Sequence, residues 1–148
     1  MKILVTYQSK TGFTKKYAEW ISEELKTDLK DIKEVSDVSD YDLVIHGGWI
    51  FGGLLKGFNK IHSLKPKRLI VFGVGLTPEK EVNLEKMTTE NRIGEAPLFY
   101  FQGGTNPKKM GFMGRSMVKM VTKKKAEYQD NTNRDRIKPL IKAVKGEK

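Results

Sequence analysis

Lys2-Ile3-Leu4-Val5-Thr6-Tyr7-Gln8-Ser9-Lys10-Thr11-Gly12-Phe13-Thr14 opens the chain with a short apolar run, followed by a loop of small and hydroxyl residues. Phe13, Tyr17 and Ile21, together with Ala18 and Leu25, then recur at three- and four-residue steps, as on one face of a helix. The stretch reads strand, loop, helix. In its loop Ser9, Thr11 and Thr14 supply three hydroxyls, Gly12 lets the backbone approach closely, and the helix start offers unpaired amides. Together with Lys10 and Phe13, these residues form a candidate cradle for one phosphate group. The competing reading is an ordinary turn with Thr14 or Thr11 as N-cap. A nucleotide-hydrolysing P-loop is excluded, because the G-x-x-x-x-G-K-S/T spacing is absent.

Working outward, a weak strand is expected from Leu29 to Val35 and a buried one over Tyr41-Asp42-Leu43-Val44-Ile45-His46, which the glycine-rich stretch Gly47 to Gly57 interrupts. A short helix follows over Lys56 to Ser63. Arg68-Leu69-Ile70-Val71-Phe72 is a further buried strand, ended by Gly73 and Gly75. A helix over Glu79 to Asn91 leads to the aromatic strand Pro97 to Gln102. Helices from about Phe112 to Lys125 and from about Asn133 to Val144 complete the pattern, with Pro139 kinking the last one or setting a later start. Five strands alternating with helices predict one doubly wound α/β domain over residues 1–148, with helices on both faces of a parallel sheet. Ligands in such sheets bind at the carboxyl ends of the strands, and the glycines fall there.

Two of these strand-end stretches join the cradle as candidate binding elements. His46-Gly47-Gly48-Trp49-Ile50-Phe51-Gly52-Gly53 places two large aromatics on an expected loop, where a flat ring system could stack on Trp49; the alternative is that both rings fold back onto the core. Gly73-Val74-Gly75-Leu76-Thr77-Pro78 offers backbone amides and carbonyls to the edge of a heterocycle. Three such loops at neighbouring strand ends say more than any one of them.

Composition narrows the chemistry. The chain has no cysteine, which excludes disulfides, iron–sulfur clusters, thiolate zinc sites and cysteine nucleophiles. Its two histidines, His46 and His62, lack clustered carboxylates, so no metal site is assigned. No run of about 18 apolar residues occurs, and Met1 to Val5 is too short for a secretory segment, so a cytoplasmic address is expected. The net charge of +10 is C-terminal: residues 1–64 carry nine Lys/Arg and nine Asp/Glu, whereas residues 65–148 carry nineteen and nine. Between Ala96 and Ala126, Lys108, Lys109, Arg115, Lys119, Lys123, Lys124 and Lys125 face no acid. Such a patch attracts an anionic partner, or is a solvated helix face. Met113, Met117, Met120 and Val121 form an apolar stripe on the same helix, which fits either core packing or a basic, adaptable surface that meets an anionic membrane.

The hydroxyl-x-Thr-Gly-x-Thr cradle after the first strand resembles the phosphate loop of flavodoxins, and the similarity extends along the whole chain. The resemblance implies a five-stranded sheet of order 2-1-3-4-5 and non-covalent FMN. It implies Ser9, Lys10, Thr11, Gly12, Phe13 and Thr14 on the phosphate, Gly48, Trp49, Ile50, Phe51 and Gly52 on one side of the isoalloxazine, and Gly75, Leu76 and Thr77 on another. Where flavodoxins often have Ser-Pro-x-Tyr-Gly, this chain has Gly-Gly-Trp-Ile-Phe-Gly-Gly. Phe101-Gln102-Gly103-Gly104, with Phe112 to Val121, resembles the flavodoxin-like menaquinone-dependent protoporphyrinogen oxidases. That implies an FMN oxidoreductase acting on protoporphyrinogen or a quinone, with a redox partner protein or quinone as partner and peripheral contact with an anionic membrane through the basic helix of residues 108–125. The alternative is an electron carrier without its own substrate. A positive net charge predicts a higher reduction potential for bound flavin than in acidic carriers. A phospho-acceptor receiver would need paired acids where Gln8-Ser9-Lys10 stands, and no nucleic-acid-binding module accompanies the lysines.

Overall fold

The computed structural model describes residues 1–123 and 127–146. β1 (Ile3–Gln8) lies between β2 (Asp28–Asp31) and β3 (Leu43–Phe51), and the sheet continues through β5 (Leu69–Gly75) to β6 (Leu98–Gln102), all parallel. The short β4 (Leu54–Leu55) runs back antiparallel on β3, and β7 (Gly104–Thr105) pairs with β8 (Gln129–Asp130) in a separate ribbon. With β4 counted, the order is 2-1-3-5-6, which is the expected 2-1-3-4-5 arrangement of the five parallel strands.

Strands buried on both faces explain the near-continuous apolar runs of β1, β3 and β5. On one face, Val5, Ile45, Phe72 and Phe101 pack against Phe13, Tyr17, Ala18 and Ile21 of α1 (Phe13–Leu25) and against Leu140, Ile141 and Val144 of α5 (Lys138–Lys145). On the other, Leu4, Val44 and Val71 meet Ile32, Phe58 and Ile61, the latter two from α2 (Phe58–Ser63). α3 (Leu84–Glu90) follows a 3-10 turn at Glu79–Glu81, so the helix expected over Glu79 to Asn91 is two shorter pieces. The expected strand over Leu29 to Val35 stops at Asp31, where the Asp31 side chain caps a 3-10 turn. Pro139 sits in the first turn of α5, so the final helix starts late instead of kinking.

α4 (Phe112–Thr122) belongs to neither layer. It rises from the β7–β8 ribbon, with none of its described side chains buried. The Met113–Met120 stripe is therefore not core: Met113 is 72% exposed and Met120 77%. The side chain of Val121, and Lys124 and Lys125, lie outside the described residues. The ribbon beneath is tied to the body by the Lys16–Asp130 ion pair at 2.9 Å.

Candidate functional site

β1 delivers the chain to the cradle, and the turn into α1 is built by Ser9, whose Oγ accepts the Gly12 amide proton at 3.1 Å. Gly12 caps the helix in the left-handed region, at φ 98°, without any side-chain cap. That excludes Thr11 and Thr14 as the cap and leaves both hydroxyls without a partner among the described residues. Thr14 is only 2% exposed, yet it borders the cavity described below. The first-turn amides that follow Gly12 have no intrahelical acceptor and carry the positive end of the helix dipole.

The aromatic stretch is not a loop. β3 continues through Gly47, Gly48, Trp49 and Ile50 to Phe51, turns over Gly52 and Gly53, and returns as β4. Both turn glycines have positive φ, 59° and 82°, as a tight type I′ hairpin requires. Gly48 marks a close crossing, since a Cβ there would lie 2.1 Å from the Lys56 carbonyl oxygen. Two residues hold this hairpin. Buried His46 donates Nε2–H to the Lys56 carbonyl at 3.0 Å, while its Nδ1 accepts from the Thr6 hydroxyl at 2.9 Å. Burial pushes its pKa down to about 4, so the ring is neutral at neutral pH. Asn91, just past α3, accepts from the Leu55 amide at 2.8 Å and donates to the carbonyls of Gly53 and Met87 at 2.9 Å each. Trp49 and Phe51 meet edge to face at 5.3 Å, half-buried and outside the core. The Lys10 and Lys56 ammonium groups sit 5.8 and 5.6 Å from the centre of the Trp49 ring, and neither has a carboxylate partner among the described residues.

The third stretch, residues 75–77, is fixed from β6. Tyr100 donates its hydroxyl to the Thr77 carbonyl at 2.7 Å, Gln102 Nε2 donates to Leu76 at 3.1 Å, and the Gly103 amide bonds Gly75 at 2.8 Å. Burial raises the Tyr100 pKa, so this donor keeps its proton across the physiological range.

These elements enclose a cavity of about 730 Å³, within the size range of small-molecule sites. Of the residues expected from sequence, Lys10, Thr11, Phe13, Thr14, Trp49, Ile50, Phe51, Gly52, Gly75, Leu76 and Thr77 line it. Ser9, Gly12 and Gly48 do not; they shape the turn and the hairpin behind it. Sequence reasoning missed Lys56, Tyr100, Val82 and Met87, and the supporting roles of His46 and Asn91. It reached Met113 and Met117 through the helical spacing of the methionine stripe, and Gly103, Gly104 and Phe112 through resemblance. No signal short of knowing the β3–β4 hairpin would have found Asn91. The described residues contain no group of three or more His, Cys, Asp or Glu able to hold a metal.

The flavodoxin-domain family model matches residues 4–133. The chain belongs to that family. Its sequence is 36% identical over 89 residues to the flavodoxin-like domain-containing protein BilS of Clostridioides difficile, covering 54% of this chain and 50% of that one. The domain thus spans about half the length of the curated relative it matches. A solved structure described as a flavoprotein from Bacteroides uniformis superposes on this flavodoxin domain with a TM-score of 0.55 at 17% identity, over 83% of this chain and 98% of the other, a likeness of fold. A flavoprotein of Lactobacillus acidophilus, solved in complex with FMN, gives a TM-score of 0.48 at 17% identity over 68% of this chain and 90% of its own. Among the described residues no helix is long and apolar enough to cross a membrane.

Proposed function

We propose that this flavodoxin domain binds FMN non-covalently and acts as an FMN-dependent oxidoreductase. The observation that carries the reading is a single cavity joining two unpartnered threonine hydroxyls at a helix start to a half-buried tryptophan on a strand-end hairpin. The residues present fit the group. Thr11, Thr14 and the first-turn amides of α1 would take the phosphate, with Lys10 beside them adding charge. Trp49 and Ile50 offer a flat apolar surface on one side, and the Gly75–Thr77 backbone offers polar atoms on another. Bound FMN would supply hydride or single-electron transfer. The chain's part is to orient the ring, keep water from it and set its electrostatic surroundings. His46 and Asn91 do so indirectly, by holding the hairpin that carries Trp49.

In its finer form the reading is oxidation of protoporphyrinogen or reduction of a quinone, supported by the cavity's second wall of apolar side chains on and near α4. A carrier role has one observation in its favour: in the segment from Lys108 to Met120, Phe112, Met113 and Met120 are exposed, as are Lys108, Lys109 and Lys119, a combination suited to an anionic partner or membrane. The test begins with the absorption spectrum of the purified protein and identification of the released cofactor. FMN-loaded protein that oxidises protoporphyrinogen with menadione as the electron acceptor, with no partner protein present, supports the enzyme. Loaded protein that only shuttles electrons from a reductase supports the carrier, and a colourless protein that ignores added FMN removes both.

A further inference from the structure

The cavity is lined by two chemically unlike sets of groups. The strand ends supply hydroxyls, amides and lysines to its lining; Val82 and Met87, before and within α3, and Met110, Met113 and Met117, before and within α4, supply apolar side chains. Four of the chain's six methionines thus line this one cavity. Methionine side chains are flexible and polarisable, and a surface made of them adapts to an irregular apolar ligand. Here they are half-buried or exposed and fill no core. The α4 flap is held at its start: Arg115 donates to the carbonyls of Pro107 and Met110 at 3.2 and 3.0 Å, closing the turn that presents Met110. The flap lies in sequence between β7 and β8, whose ribbon is pinned by Lys16 and Asp130. Among the polar lining groups, Lys56 lies over both Trp49 and Phe51 at 5.6 Å, its ammonium without a carboxylate among the described residues.

We propose that the Met87–Met110–Met113–Met117 wall is a subsite for a second ligand, a flat conjugated organic acid, whose acid group is met by Lys56. This rests on the flavin reading, because the phosphate cradle and Trp49 are left to FMN, while the methionine wall and the Lys56 ammonium are assigned to the second molecule. A flat apolar body matches a wall without polar groups, and a negative charge matches the unpaired ammonium. A neutral ligand would leave that ammonium uncompensated, so the acid group is the selective feature.

The test is calorimetric titration of the FMN-loaded protein with 8-anilinonaphthalene-1-sulfonate as an anionic probe and menadione as a neutral one. The expected result is one saturable site for the sulfonate. Its affinity falls about tenfold or more in Met110→Gln/Met117→Gln, and severalfold in Lys56→Gln, with a weaker salt dependence in the latter. Menadione affinity falls in the methionine pair and is indifferent to Lys56→Gln. Circular dichroism checks that each variant is folded; Met117→Leu, which keeps the wall apolar, retains binding. Sulfonate binding that appears only in FMN-free protein and is displaced by FMN overturns the proposal, because the wall would then be part of the flavin site. Binding unmoved by the methionine pair, or absent, overturns it also. Should the purified protein take up no FMN, that is read directly from its spectrum and counts against the flavin reading alone, while the effect of the methionine pair on the sulfonate still decides the wall.

Discussion

At the scale of single residues, His46 couples the core to the site. A histidine in the unfolded chain takes up a proton near its ordinary pKa of 6.5, but in the folded protein this ring resists protonation until about 4. Between those values the unfolded state binds more protons, so stability rises with pH from about 4 to 6.5 and is level above. The span corresponds to about 3 kcal/mol. Asp37, Asp42 and Asp130, whose pKa values are lowered from 3.8, act below that window. Guanidinium unfolding at pH 5 and pH 7.5 should therefore show a loss at pH 5 that His46→Gln largely removes; an equal loss in both proteins would refute the assignment. Thr14 gives a second expectation. Thr14→Val keeps the shape and removes one hydroxyl, and a hydrogen bond to a charged group contributes roughly 1.5–3 kcal/mol. FMN affinity should fall about tenfold to a hundredfold, read by titration. Both roles differ in how visible they were in sequence. The hydroxyl spacing from Ser9 to Thr14 was open to reading because the cradle is local, whereas the bond from His46 to Lys56 exists only after the hairpin has folded.

Among the elements, β3 departs most from its sequence. Gly47 to Gly53 reads as a loop by composition, yet the strand runs on to Phe51. The reason is close packing: a Cβ at Gly47 would lie 2.0 Å from the Phe72 ring, so glycine there admits a neighbour and does not mark a turn. Only Gly52 and Gly53 use their backbone freedom, at the hairpin tip. α4 departs in the opposite sense, since a stripe of methionines at helical spacing is compatible with core and with an exposed flap, and periodicity alone cannot choose. Asn91 is the hairpin's external clamp. Asn91→Ala leaves the Leu55 amide and the Gly53 carbonyl without their side-chain partner, at a cost of about 1–3 kcal/mol. Hydrogen exchange should quicken at residues 53–56 while β1 and β5 stay protected; unchanged exchange at Leu55 would count against the clamp.

For the whole molecule, the doubly wound α/β class was the most legible feature, because apolar runs alternate with helices, whereas the strand order came through the resemblance to flavodoxins. Net charge was equally legible, but its placement was not: the two lysines beside Trp49, at positions 10 and 56, are far apart in sequence. Positive charge near a flavin favours its reduced, anionic form. The FMN-loaded domain should therefore have a higher reduction potential than acidic flavodoxins, and Lys10→Gln/Lys56→Gln should lower it in a spectroelectrochemical titration; a potential unmoved by the pair would place those charges outside the ring's field. The central claim, that the cavity holds a flavin by its phosphate at the start of α1, is tested most directly by titrating the flavin-free protein with FMN and with riboflavin. FMN should bind at one site and far more tightly than riboflavin, with the difference shrinking in Thr14→Val. Equal affinity for the two flavins, or no binding of either, would contradict it.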